Sequence, residues 1–224
     1  MASLHGKPMI LRQIERLGKS RLIDELVVAT SVDPTDDSLV ELLSSAGIQV
    51  RRGPLDDVVA RFNAVLSDFP AQHIVRLTAD CPLADPEVID KVIGSHLSSN
   101  SDYSSNTLRL TYPDGLDAEC VSADAFARLS AFDLTVRERE HVTLGIYERP
   151  AQFSLNSVTQ ETNWSHLRWT VDVPDDLTFV RAIYDRLYDG DNDFGQESIL
   201  RFLADYPELS RTDQDMVRNA GLGS

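Results

Sequence analysis

Arg76-Leu77-Thr78-Ala79-Asp80-Cys81-Pro82-Leu83 is the stretch that decides how this chain is read. A hydrophobic strand starting at His73 runs into an aspartate, and a Cys-Pro turn follows at once. Ligands of open α/β sheets bind just beyond the carboxyl ends of the strands, which makes Asp80 a candidate site residue. Alternation puts Ile74, Arg76, Thr78 and Asp80 on one face of the strand and Val75, Leu77 and Ala79 on the other. An arginine on a central strand is costly unless an anion meets it, so Arg76 calls for a neighbouring carboxylate or a bound phosphate.

Outward from this strand, short apolar runs alternate with helical patterns, the signature of a wound α/β sheet. Pro8 through Leu17 predicts a helix with Ile10, Leu11, Ile14 and Leu17 as its buried stripe. Leu26 to Thr30 reads as a strand, a helix starts at Asp36-Asp37 and stops at Gly47, and Ile48 to Val50 form another strand. Asp56 or a neighbour caps the helix through Leu66. After the His73–Asp80 strand come a helix from about 86 to 97, a strand at 102–106, a loop holding Tyr112-Pro113-Asp114-Gly115 and a strand at 118–122. Helices are expected at 123–132 and 137–147, strands at 153–158 and 166–171, and helices at 174–188 and 196–204. The tail beyond Pro207 reads as loosely held. No repeat or linker divides the chain, so residues 1–224 are expected to form a single α/β domain with a mixed, Rossmann-like sheet and helices on both faces.

The 224 residues suffice for one large core. A net charge of −15 argues against nucleic acid or an anionic membrane as partner, since both need clustered Lys and Arg. A nucleotide stays compatible, because a few placed cations and a divalent metal suffice. Cys81 and Cys120 lack metal-ligand spacing and read as free thiols of a reduced, cytoplasmic protein. No apolar run reaches the ~18 residues of a membrane span.

A second strand ending in aspartate lies in His166-Leu167-Arg168-Trp169-Thr170-Val171-Asp172, with Pro174 soon after. It repeats Arg, Thr and Asp at alternate positions. Two carboxylates at strand ends suit Mg²⁺ held between protein and phosphates. The plainer reading of Asp172 is the N-cap of the helix that Pro174 opens.

At this point the residues resemble a family. Gly6-Lys7-Pro8-Met9, Val28-Ala29-Thr30-Ser31, Asp56-Asp57-Val58 with Arg61, Thr78-Ala79-Asp80-Cys81-Pro82-Leu83, Tyr112-Pro113-Asp114-Gly115-Leu116-Asp117, Arg139-Glu140-His141-Val142-Thr143 and Leu167-Arg168-Trp169-Thr170-Val171-Asp172 follow in this order. Together they resemble the cytidylyltransferases, in the branch of spore coat polysaccharide biosynthesis protein F. That branch is related to the synthetases that attach CMP to sialic acid and to ketodeoxyoctonate. The resemblance implies a nucleotide-diphospho-sugar-transferase-like fold and transfer of CMP from CTP, or another nucleoside triphosphate, to a sugar acid or sugar phosphate for surface polysaccharide. It implies Asp80 and Asp172 as catalytic holders of Mg²⁺. Thr30, Ser31, Asp57, Arg61 and Arg76 would line the nucleotide, and Tyr112, Asp114, Asp117, Glu119, Arg139, His141 and Arg168 would face the sugar. A homodimer is expected on the same ground.

The chain departs from the family at its start. Members begin with a buried strand and a loop resembling R-x-G-S-x-R-L-P-G-K, which gives amides, Arg and Lys to the base and triphosphate. Here the match begins near Leu4-His5-Gly6-Lys7. The expectation is a chain lacking its first strand, with impaired activity that a version extended upstream of Met1 restores. Two other readings compete: a non-catalytic partner on the same fold, and a glycosyltransferase using a nucleotide sugar, against which Asp80-Cys81-Pro82 lacks the usual Asp-x-Asp. Pro113-Asp114-Gly115 also has the composition of a plain turn, and Cys81 that of a buried filler.

Overall fold

The computed structural model describes residues 2–212. Strands β1 (Ser3–Leu4) and β2 (Lys7–Pro8) form an antiparallel hairpin around His5 and Gly6. Both turn residues have positive φ, 47° and 79°, as a type I′ turn demands. Helix α1 (Met9–Leu17) follows directly. Its predicted stripe is largely overturned, because Ile10, Leu11 and Ile14 are half-buried while Arg12, Gln13 and Arg16 are buried beside Leu17. Loops dock on the polar side of α1, and their backbone carbonyls accept from Arg12, Gln13 and Arg16.

β3 (Val27–Ser31) and β4 (Gln49–Gly53) pair in parallel, in register from Val27↔Gln49 to Ser31↔Gly53. The crossover between them carries α2 (Asp37–Ser45), which stops where Gly47 takes φ 75°. Helix α3 (Val58–Asp68) is capped by Asp57, whose carboxylate accepts from Ala60 N at 2.8 Å. β5 (His73–Arg76), β6 (Tyr103–Ser105), β7 (Glu119–Ser122) and β8 (Leu155–Ser157) form a mixed sheet in the order β5-β7-β6-β8. β7 runs antiparallel to β5 and β6, and β8 parallel to β6. Among the described residues, the β3–β4 pair and this sheet are separate hydrogen-bonded ladders.

Alternation along β7 sends Cys120 and Val121 to opposite faces. Cys120 packs with Ile89, Val92 and Ile93 of α4 (Pro86–Ser99). Val121 packs with Ile74, Tyr103, Val59 of α3, and Phe126 and Leu129 of α5 (Ala123–Ser130). The fold is therefore mixed α/β with helices on both faces. A third apolar cluster joins α8 (Pro174–Leu187) and α9 (Gln196–Asp205) to Leu83, Tyr112 and Trp169.

Four expectations are corrected. The strand through Asp80 ends at Arg76, so Thr78 and Asp80 lie in the loop beyond it. The stretch 166–171 is no strand, because its backbone bonds go to different segments: Trp169 N to Asp114 O, Arg168 N to Arg211 O, and Val171 N to Asp80 O. The helix expected over 137–147 breaks into α6 (Val136–Glu140) and α7 (Leu144–Tyr147). Val142 between them holds φ 48° while buried, a strained conformation for a β-branched residue. Residues 207–212 are docked, with Arg211 Nη2 3.1 Å from Asp176 Oδ1 and Thr212 bridged to Leu167. The rest of the expected tail, 213–224, lies outside the described residues, as does Met1.

Candidate active site

Fixed carbonyls hold the loop that carries Asp80. Gln13 Nε2 donates to Thr78 O at 2.6 Å, Val171 N to Asp80 O at 2.9 Å and Ala84 N to Cys81 O at 3.0 Å. Tyr184 Oη donates to Pro82 O at 3.1 Å, and Arg16 Nε to Ala84 O at 2.8 Å. Arg16 is buried and has no carboxylate hydrogen-bond partner among the described residues. Its guanidinium bonds to loop carbonyls and to Asn192, and stacks 4.3 Å over the Phe194 ring. The half-buried Asp80 carboxylate accepts from Thr170 Oγ1 at 3.0 Å and faces the Cys81 thiol at 3.5 Å. Burial first, then Asp80, pushes the Cys81 thiol well up, with Asp117 adding to it. Cys81 is thus a neutral filler, and Asp117 stands within electrostatic reach of this loop.

The second aspartate stands one residue beyond the Asp80 contact. Asp172 is exposed, and its Oδ2 lies 2.5 Å from Arg168 Nη2. It does not cap α8. Asp176 does that work, accepting from the backbone N of Asp172 and Val173 at 3.1 Å each. Arg168 is buried and meets three carboxylates, adding Asp176 at 2.9 Å and Asp114 at 3.4 Å. Its pKa is raised, chiefly through the bond to Asp176. The sequence expectation had Arg168 and Asp114 facing a sugar; the structure makes them an internal ion cluster. Tyr112 is likewise a core residue at 2% exposure. Gly115, at φ 100°, lets this loop close on the other: a Cβ there would lie 2.6 Å from Thr170 N and from Trp169 C.

Arg76 meets a carboxylate, Glu119, directly opposite on β7. Glu119 is buried and also accepts from Thr143 Oγ1 and, at 2.8 Å, from Tyr103 Oη. Glu119 is thus the hub of a buried network rather than an open sugar contact. That network anchors Thr143 two residues from His141, which is half-buried.

Thr30 and Ser31 both donate their hydroxyls to Asp36 Oδ2, at 2.7 and 2.6 Å. Those bonds hold the Asp36 carboxyl below its ordinary value, Ser31 contributing most. Asp57 receives Arg139 Nη1 at 3.0 Å, so residues expected on the nucleotide and sugar sides meet here. Arg61 packs its stem 2.6 Å from the Cβ position of Gly53, and its buried Nε has no hydrogen-bond partner among the described residues. Sequence reasoning missed Asp36, Asp176, Gln13 and Arg16. For Asp176 a signal existed, an acidic residue three places into a helix after a proline.

Whether these residues suit a divalent cation can be judged from the donors. Among the described residues, no group of three or more His, Cys, Asp or Glu side chains forms an all-protein metal cage. Mg²⁺ does not ask for one: it keeps waters and takes one or two carboxylates plus substrate phosphates. Asp80 offers hard oxygens on a fixed loop. Asp172 can swing from Arg168 and still leave that guanidinium two carboxylates. The donor set fits.

A family model described as cytidylyltransferase matches residues 1–197. An uncharacterized protein of Methanocaldococcus jannaschii is 37% identical over 142 residues, covering 63% of this chain and 57% of that protein. The spore coat polysaccharide biosynthesis protein SpsF of Bacillus subtilis is 34% identical over 166 residues, covering 73% and 68%. A 3-deoxy-manno-octulosonate cytidylyltransferase of Anaeromyxobacter dehalogenans is 36% identical over 99 residues, 42% of this chain and 39% of that enzyme. The matches thus span between two fifths and about two thirds of these relatives. A solved cytidylyltransferase from Leptospira borgpetersenii shares the fold at TM-score 0.88 and 22% identity, over 96% of this chain and 90% of that one. No helix among the described residues is long and apolar enough to cross a membrane.

Proposed function

The chain belongs to the cytidylyltransferase family, and from that premise we propose that it transfers CMP from CTP to an acidic or phosphorylated sugar destined for surface polysaccharide. Pyrophosphate is the leaving group. The observation that carries this reading is the junction of two distant segments at Asp80, where Val171 N meets the Asp80 carbonyl and Thr170 Oγ1 meets its carboxylate. It supports Asp80 and Asp172 as the pair that would hold Mg²⁺, whose chemistry when bound is to cancel charge on the phosphates. Asp80, fixed through its neighbours' carbonyls, sets where the α-phosphate lies. Alignment of a sugar oxygen with that phosphorus supplies the rest.

In this reading Thr30, Ser31, Asp57 and Arg61 line the nucleotide side, while Arg139, His141 and Asp117 stand toward the sugar. Arg76, Glu119, Arg168, Asp114 and Tyr112 act behind them by holding the walls. The names of two relatives favour a polysaccharide precursor and, among acceptors, a sugar acid. Two copies of the chain are proposed to assemble.

The test is a pyrophosphate-release screen of the chain, and of a version extended upstream of Met1, against four triphosphates. Sugar acids and sugar phosphates are the acceptors, with Mg²⁺ varied. Release that prefers CTP and needs both metal and acceptor supports the reading. Release that ignores the acceptor, or no release from either version, defeats it.

A further inference from the structure

Gln13 breaks the ordinary rule for a helix interior. It is only 2% exposed, on the polar side of α1, and its Oε1 has no hydrogen-bond partner among the described residues. Burying an amide with one end unsatisfied costs stability, so an apolar side chain of the same size would serve the core at least as well. Among the described residues its other end makes a single bond, Nε2 to Thr78 O at 2.6 Å. Thr78 itself is exposed.

What the bond does is mechanical. β5 ends at Arg76, so residues 77–80 have no ladder to hold them. Between that strand end and Asp80, Thr78 O is tied by Gln13 alone among the described backbone and side-chain bonds. Beyond Asp80 the loop is fixed by Tyr184 and Arg16. Without Gln13, residues 77–79 keep only the Thr78 Oγ1–Cys81 Sγ contact at 3.4 Å among the described bonds, while Asp80 itself stays tied to Thr170 and Val171.

We infer that Gln13 is a positioning residue that fixes the Asp80 carboxylate through the Thr78 carbonyl, and that stability is traded for that placement. The inference rests on the proposed role of Asp80 in nucleotidyl transfer, and its test has one arm that does not.

Gln13→Met removes donor and acceptor and keeps the volume; Gln13→Leu is a second variant should Met fail to fold. In the first arm, amide hydrogen exchange is compared with the unsubstituted chain. Exchange at Val171 and Ala84, whose amides donate to Asp80 O and Cys81 O, is expected to rise about tenfold, with His73–Arg76 unchanged and the melting temperature equal or higher. In the second arm, pyrophosphate release is measured across Mg²⁺ concentrations. Here kcat is expected to fall about tenfold and the half-saturating Mg²⁺ to rise, with KM for the sugar unchanged. Unchanged exchange at Val171 and Ala84 overturns the inference, as does a kcat loss that follows a drop in melting temperature. Absence of pyrophosphate release from both the unsubstituted chain and its extended version would sink the transfer reading instead, and the exchange arm would still decide Gln13.

Discussion

Thr170 Oγ1 donates to Asp80 Oδ2 at 3.0 Å, joining residues 90 apart in sequence. The bond uses one lone pair of a half-buried carboxylate and fixes its orientation. Thr170→Val keeps the shape and removes the donor. A hydrogen bond to a charged group is worth about 1.5–3 kcal/mol, so kcat should fall roughly ten- to a hundredfold if the full bond acts in the transition state. Binding of the sugar, read as KM, should hold.

Asp80→Asn keeps the bonds through the Asp80 backbone and removes the charge. Pyrophosphate release should vanish while the circular-dichroism spectrum and melting temperature stay near those of the unsubstituted chain. Retained Mg²⁺-dependent turnover would remove Asp80 from its proposed role.

Arg168 presents a different balance. Asp176, at 1% exposure, relies on it and on Arg211. Arg168→Met leaves a buried carboxylate short of its main partner, which typically costs about 3–5 kcal/mol. Arg168→Lys should rescue little, because one ammonium cannot serve Asp114, Asp172 and Asp176 in three directions. Urea unfolding midpoints measure both.

These contacts mark where sequence was readable. Strand and helix periods exposed the alternating elements, and strand-end logic drew attention to Asp80 and Asp172. Periodicity failed on α1, since the apolar stripe Ile10, Leu11, Ile14 says nothing of loops docking on Arg12, Gln13 and Arg16. It failed again at 166–171, where alternating residues bond to three separate loops instead of a neighbouring strand. Roles for Arg76, Glu119 and Arg168 depended on which charge faces which across the fold, and spacing carries no such information.

Acid should destabilise the protein in two stages. Burial and the neighbouring His73 lower the pKa of His96, whose Nε2 lies 3.1 Å from His73 Nδ1; Asp102 opposes the shift. A depressed histidine favours the folded state while neutral, so this contribution is lost as pH falls below about 6.5. Glu138 is held at about 2, chiefly by its bond to Arg149. Its contribution is full above its unfolded value and disappears as pH falls from about 4.5 toward 2, at most about 3 kcal/mol. Glu138→Gln should flatten the lower limb of a stability-against-pH curve and leave the upper one. His96→Gln should do the reverse.

Gly115 is where the two segments behind the site close on each other. At φ 100° an added methyl is strained in itself, and it would also meet backbone atoms of Trp169 and Thr170 at 2.6 Å. Backbone cannot rotate aside as a side-chain tip can. Gly115→Ala must therefore push residues 112–117 away from 167–172, stretching Trp169 N from Asp114 O, now 2.7 Å, and Asp114 N from Leu167 O, now 2.9 Å. A loss of about 2–4 kcal/mol is expected, the range for strained backbone with broken buried bonds. The displacement reaches Thr170 and hence Asp80, so kcat should drop more than that of a surface variant equally destabilised elsewhere. Thermal melting beside pyrophosphate release separates the two effects, and a kcat unchanged at permissive temperature would show that the 112–117 loop does not position Asp80.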